Sequence, residues 1–75
     1  MAKTFSCYFL GALVHVRYEH SGDEEAIWIA DVVLNGHARS IDGAATLQTA
    51  CARNDVTRSV LRGLEWMRKV DARLQ

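Results

Sequence analysis

Strict alternation of apolar and polar residues over 12–19 predicts a β-strand with one buried and one solvent-exposed face. Upstream, residues 5–10 are mostly apolar at both parities. Gly11 lies between these two stretches and has no side chain to resist a bend. We therefore expect one long strand that starts near Thr4 and kinks or bulges at Gly11.

Two further strands are expected after a polar hairpin loop over 20–25. The second strand, 26–34, is apolar on both faces, which is typical of a central strand or of one whose second face meets a partner. An Asn-Gly pair at 35–36 favours a type I′ turn, because both turn positions need a positive φ. The third strand is then expected over 37–41, and the Asp-Gly pair at 42–43 is expected to end it.

Residues 44–52 are ambiguous. Apolar residues at positions 44, 47, 50 and 51 fit a short helix, whereas alternation through 45, 47, 49 and 51 fits a fourth strand. Composition slightly favours the helix and two threonines favour the strand. Both alternatives stay open.

A helix is predicted over about 55–74. Asn54 is expected to accept hydrogen bonds from the first free amides, and Asp55 suits the positive end of the helix. An apolar stripe follows at helical spacing: Val56, Val60, Leu64, Met67, Val70 and Leu74. Gly63 lies in this stripe, where it costs about 1 kcal/mol relative to alanine unless close packing on the sheet offsets the loss.

These elements predict one α+β domain over 1–75, with a three-stranded antiparallel sheet covered by the C-terminal helix. A 75-residue core supplies only about 3–5 kcal/mol, yet 49% of the residues are hydrophobic. One helix covers only one face of a sheet, so an apolar patch is left on the other: Leu13, Ile27, Ile29 and Val33. We expect a homodimer through this patch, together with an unidentified protein partner.

Charge suggests a second function. Nine basic and nine acidic residues cancel, which argues against a generic basic nucleic-acid coat protein. The charges are unevenly distributed, since residues 1–52 hold three basic and six acidic residues and 53–75 hold six and three. Four basic residues lie opposite the apolar stripe of the helix: Arg58, Arg62, Lys69 and Arg73. They are the expected contacts if the protein is instead a nucleic-acid-binding regulator.

No pattern for catalysis, a cofactor or a metal is present. The three histidines lack zinc-ligand spacing, and Cys7 and Cys51 form no Cys-x-x-Cys pair. Phosphate-binding glycine loops, nucleophile elbows and paired catalytic carboxylates are missing from the sequence. Asp31 interrupts an apolar strand face, so it either has a polar partner near Ser40 or lies at a wet rim. We expect a non-enzymatic protein.

The sequence also predicts a cytoplasmic location without membrane attachment. Its apolar runs are shorter than the roughly 20 residues of a membrane-spanning helix. Polar and glycine residues interrupt the first apolar run, which does not have the layout of a signal peptide.

The predicted order of three strands and a helix resembles that of small bacterial β-β-β-α proteins of unknown function. The residues that carry the resemblance are Trp28 in the second strand and GLEWMRKVD at 63–71. The resemblance covers most of the chain and implies an α+β domain but no activity. The element order is also similar to the C-terminal part of double-stranded-RNA-binding domains, although their first helix and lysine cluster are missing here. It is similar, again by topology, to the small antitoxin domains of toxin–antitoxin pairs.

Overall fold

The computed structural model describes residues 2–34 and 36–74, and the side chains of these except 34 and 71–74. Four antiparallel strands form one sheet in the order β1-β2-β3-β4, and one helix follows. The elements are β1 (Lys3–Phe9), β2 (Ala12–His20), β3 (Glu25–Leu34), β4 (His37–Thr46) and α1 (Ala52–Leu74). The predicted α+β class is confirmed, but the predicted count of three strands is wrong.

The extra strand arises at Gly11, which is a turn and not a bulge. Phe9 pairs with Ala12, so Leu10 and Gly11 alone connect β1 to β2. Their φ values are +50° and +83°, as the two central positions of a type I′ turn require. The expected single strand is therefore a hairpin, and the turn was missed because leucine rarely adopts a positive φ.

The next two connections agree with the sequence pattern. Residues 21–24 join β2 to β3, and the Ser21 amide donates to the Glu25 carbonyl at 2.9 Å. Leu34 pairs with His37, which leaves two residues between β3 and β4. Gly36 has the positive φ that the predicted turn requires, +79°, whereas Asn35 lies outside the described residues.

Strand β4 continues through the Asp-Gly pair that was expected to end it. Gly43 pairs with Trp28 of β3, and a Cβ at position 43 would lie 2.7 Å from the indole Cζ2. The glycine is therefore a contact site for the indole inside a strand. The strand alternative for 44–52 holds only for 44–46; residues 47–51 are irregular and α1 begins at Ala52.

Helix α1 packs on one face of the sheet, mainly against β4 and β3. Val56, Val60 and Leu64 of the predicted stripe are at most 1% exposed, and they share the core with Val14 and Val16 of β2. The helix begins three residues before the predicted start. Asn54 is exposed, and the first turn is preceded instead by Cys51, whose carbonyl accepts from the amides of residues 54 and 55.

Trp28 is the side chain on which strand and helix meet. Its indole is 4% exposed, and its Nε1–H donates to Ser59 Oγ at 3.0 Å. Ser59 Oγ in turn donates to the Ala44 carbonyl at 3.2 Å. On the helix side, a Cβ at Gly63 would lie 3.2 Å from the indole Cη2. The close packing that would offset the cost of Gly63 is present, and it is made on Trp28.

We predict that Gly43→Ala lowers the free energy of unfolding by about 1–3 kcal/mol, because the new methyl group must displace a fully packed indole. Gly63→Ala is expected to stay within about 1 kcal/mol of wild type, since its tight contact is offset by helix propensity. Gly22→Ala is the control, because no atom lies within 4 Å of its Cβ position. Urea unfolding measures all three; equal stability of Gly43→Ala and Gly22→Ala would contradict the close packing.

A second prediction concerns the first turn. Leu10 is 66% exposed and gains little from packing, while a positive φ costs a non-glycine residue about 1–2 kcal/mol. Leu10→Asn converts the turn to Asn-Gly and should raise the free energy of unfolding by up to about 1 kcal/mol. Leu10→Ala keeps the backbone cost and should not show this gain. A less stable Leu10→Asn variant would be evidence against the type I′ turn.

Candidate interaction surface

The sheet face not covered by α1 carries several exposed apolar side chains. We call this side, with its alternate residues from all four strands, the open face. Ile27, Ile29 and Val33 are 50%, 43% and 40% exposed there, and Leu13 is partly buried. All four residues of the predicted patch therefore lie on one surface. Tyr8 belongs to it as well and is 74% exposed.

Strand register orders these side chains into rows across the sheet. Tyr8 pairs with Leu13, which pairs with Val33, so three apolar residues form one row. Ile29 lies two rows away on β3, between Arg17 of β2 and Asp42 of β4. Cross-strand neighbours on one face touch at these spacings. The open face is thus amphipathic: one apolar row borders a polar one, and beyond the polar row Ile29 lies between two charged residues.

The polar row consists of Ser6, His15, Asp31 and Ser40 in strand order. Ser6 Oγ lies 2.9 Å from His15 Nδ1, and the Ser40 hydroxyl donates to Asp31 Oδ1 at 2.5 Å. Asp31 is exposed, so both features expected of it are present, a polar partner and a wet position.

Serine, histidine and aspartate in one row invite comparison with a nucleophilic triad. In a triad the carboxylate holds the imidazole, which in turn contacts the hydroxyl. Here Ser40 occupies the carboxylate, and no hydrogen bond or ion pair joins His15 to Asp31 among the described side chains. The row satisfies polar groups on a sheet face and lacks the relay that activates a serine.

The outward side of α1 forms a second surface, which we call the helix outer face. Three of the predicted nucleic-acid contacts, Arg58, Arg62 and Lys69, are exposed here, while the side chain of Arg73 lies outside the described part. Trp66 is 69% exposed among them and was missed by the sequence analysis. Its spacing from Arg62 and Lys69, four residues before and three after, is the signal that placed it on this face.

Asp55 is a buried charged residue, 4% exposed, and its surroundings explain it fully. The carboxylate Oδ2 accepts from the amides of Thr49 and Gln48 at 3.0 and 3.1 Å, and from the Thr49 hydroxyl at 3.0 Å. The hydrogen bond from the Thr49 amide is the main cause that lowers the pKa of Asp55, with a smaller contribution from Arg58. Asp55 ties the 47–51 loop to the helix, a structural role.

The remaining reactive side chains are dispersed. Burial raises the pKa of the Cys7 thiol, which the positive charge of Arg53 only partly opposes. Cys51 is exposed and is also a free thiol. Within the described residues, no group of three histidine, cysteine, aspartate or glutamate side chains is placed to hold a metal ion.

The described part of the chain contains no helix with the length and apolar character needed to cross a membrane.

Comparison with known proteins finds no matching family model, no matching curated protein and no matching solved structure. The resemblance to small bacterial β-β-β-α proteins stays a prediction.

We predict that Asp55→Asn destabilises the protein at pH 7 in a pH-dependent way. Because the folded pKa is lowered, the stabilisation by the charge is fully present above the unfolded pKa of about 3.9 and is lost as pH falls through the lower folded value. The gap between wild type and variant in urea unfolding should therefore be constant from pH 7 to 5 and shrink below pH 4. A gap that persists undiminished at pH 2 would refute the charge as its cause.

Proposed function

We propose that the protein is a non-enzymatic interaction module that self-associates as a homodimer through the open face. The observation that supports this is the exposure of Ile27, Ile29 and Val33 on a sheet face that α1 does not cover. Contiguous apolar surface of this kind marks interaction sites on soluble proteins. An aligned β-sandwich of two sheets removes it from water.

The size of the face fits a dimer. Strands lie about 4.8 Å apart and rise about 3.3 Å per residue, so four strands of 7–10 residues offer on the order of 500 Å² of projected area. Two copies then bury about 1,000 Å² or more, the lower range of specific interfaces. Of the six large hydrophobic residues that are exposed in the described part of the chain, four lie on this face: Tyr8, Ile27, Ile29 and Val33.

Charge and shape on the open face favour a second copy as the occupant. A two-fold axis parallel to the strands and between β2 and β3 gives the greatest overlap and places β2 over the β3 of the second copy. Register then puts Leu13 opposite Val33, and His15 opposite Asp31 of the other protomer, twice each. Leu13 then meets Val33, the acidic group faces an imidazole, and the aliphatic parts of Arg17 and Glu19 lie over Ile29 and Ile27 of the other protomer.

We predict a dimer at micromolar concentration for the wild type and a folded monomer for Ile29→Lys. Because Ile29 is 43% exposed, the lysine is tolerated in a monomer, but in the dimer it sets a positive charge against Arg17 of the other protomer. Ala50→Lys, at an exposed loop position, is the matched control and should remain dimeric. Sedimentation equilibrium gives the mass, and circular dichroism checks that each variant is folded.

Two outcomes would overturn this proposal. A wild-type mass of one chain throughout the micromolar range would exclude self-association at these concentrations. A dimer that survives Ile29→Lys would place the contact elsewhere, most simply at the unpaired edge of β1 or β4.

The arrangement of the two copies has its own test. His15→Asp sets two carboxylates against each other in the dimer and should weaken association more than His15→Asn, which is polar but uncharged. Equal effects of the two variants would contradict the proposed axis between β2 and β3.

A further inference from the structure

Trp66 is a large aromatic side chain left in solvent. Leu64 and Met67, its neighbours on the helix, point to the sheet: Leu64 is 1% exposed and Met67 is partly buried. Trp66, in contrast, is 69% exposed. The Trp66 indole therefore contributes little to the stability of the fold, since the buried face of α1 packs on the sheet without it. A lone exposed apolar residue is ordinary; this one is set among positive charges.

Cations flank the indole on the same face of α1. Arg62 precedes it by four residues and Lys69 follows by three, so each lies about one turn away, and Arg58 lies one turn beyond Arg62. Arg62 and Lys69 form no hydrogen bond or ion pair with any described residue. Their charges are available to a ligand.

Among the described side chains of this face, the one acidic residue is partly neutralised. Glu65 lies beside Arg68, whose Nη1 is 3.8 Å from its carboxylate oxygen. The hollow around the indole is lined by Arg58, Leu61, Arg62, Glu65, Trp66 and Lys69. A positive surface with an aromatic plane at its centre remains.

We propose that the helix outer face binds single-stranded nucleic acid, with a base stacked on Trp66 and phosphates on the flanking cations. Base–aromatic stacking on a positive surface is how sequence-tolerant single-strand binding works. Arg58 to Lys69 spans about 16 Å along the helix axis, which holds at most roughly five nucleotides, because a single strand is more extended than the 3.4 Å rise of a duplex strand.

The same features argue against duplex and membrane ligands. Bases in a duplex are stacked on one another and present no free plane to an indole. A membrane-surface helix needs a broad apolar face, but Val56, Val60 and Leu64 are buried on the sheet. One indole and the partly buried Leu61 are too little to replace that face.

The test is a titration with a 15-nucleotide oligo(dT), followed by intrinsic tryptophan fluorescence and by anisotropy of a labelled strand. Trp28 is buried and hydrogen-bonded, so quenching reports on Trp66. Trp66→Ala should abolish the quenching and weaken binding about tenfold or more. Arg62→Gln should reduce the salt slope by about 0.7, the value for one single-strand phosphate contact.

Controls separate the proposal from general charge effects and from dimerisation. Lys3→Gln removes an exposed cation on β1 and should leave the affinity within about twofold after the small change in charge. Ile29→Lys, on the opposite side of the sheet, should still be quenched by oligo(dT). Loss of self-association and loss of strand binding are thus separate results.

Three results would overturn the inference. They are an affinity that Trp66→Ala leaves unchanged, a duplex of the same length that binds as tightly as the single strand, and binding to phosphatidylserine vesicles without binding to oligo(dT). The last would assign the face to an anionic membrane surface.

Discussion

The indole of Trp28, held between the sheet and the helix, sets the geometry of the whole molecule. Its ring lies against Gly43 of the neighbouring strand and Gly63 of the helix, and both contacts are so close that a side chain at either position would meet it. Its N–H reaches Ser59, which bonds the Ala44 carbonyl, so one side chain links β3, α1 and β4. Close packing with a satisfied buried donor makes this contact specific for one helix position and one strand register.

The position of α1 on the sheet determines which surfaces stay exposed and are available for binding. Because α1 is drawn onto the Trp28 side, the valines at 14, 16, 56 and 60 become core, and the opposite parity of every strand stays on the open face. A single helix has no means of covering both sides of a four-stranded sheet. The exposed apolar residues on β3 are thus a consequence of a two-layer fold with too few elements, and a second copy supplies the missing layer in the proposed dimer.

Local pattern predicted β2, β3, the glycine of the β3–β4 turn and the helix stripe as far as Met67, because each depends on periodicity or backbone φ alone; the side chain of Leu74, the last residue of that stripe, lies outside the described part. It failed where a tertiary contact, or a residue in a backbone conformation uncommon for its type, determines the local structure. Leu10 adopts a positive φ that leucine disfavours. An Asp-Gly pair is typical of a strand end, and only the contact between Gly43 and the Trp28 indole explains why the strand continues through it. The patch on β2 and β3 followed from parity. Tyr8 was missed because β1 was not recognised as a separate strand, and Trp66 because an aromatic residue beside a stripe is easily counted with the core.

Although the net charge is zero, basic and acidic residues are unevenly distributed along the chain. Residues 1–52 carry three basic and six acidic residues, whereas 53–75 carry six and three. In the helix, Asp55 points inward to the 47–51 loop and Arg53 lies over the Phe5 ring at 5.0 Å, so the outward cations dominate one side. Among the side chains that line the hollow around Trp66, the single carboxylate, Glu65, lies beside Arg68, whereas Arg58, Arg62 and Lys69 are all cationic. An electroneutral chain therefore retains a locally positive face.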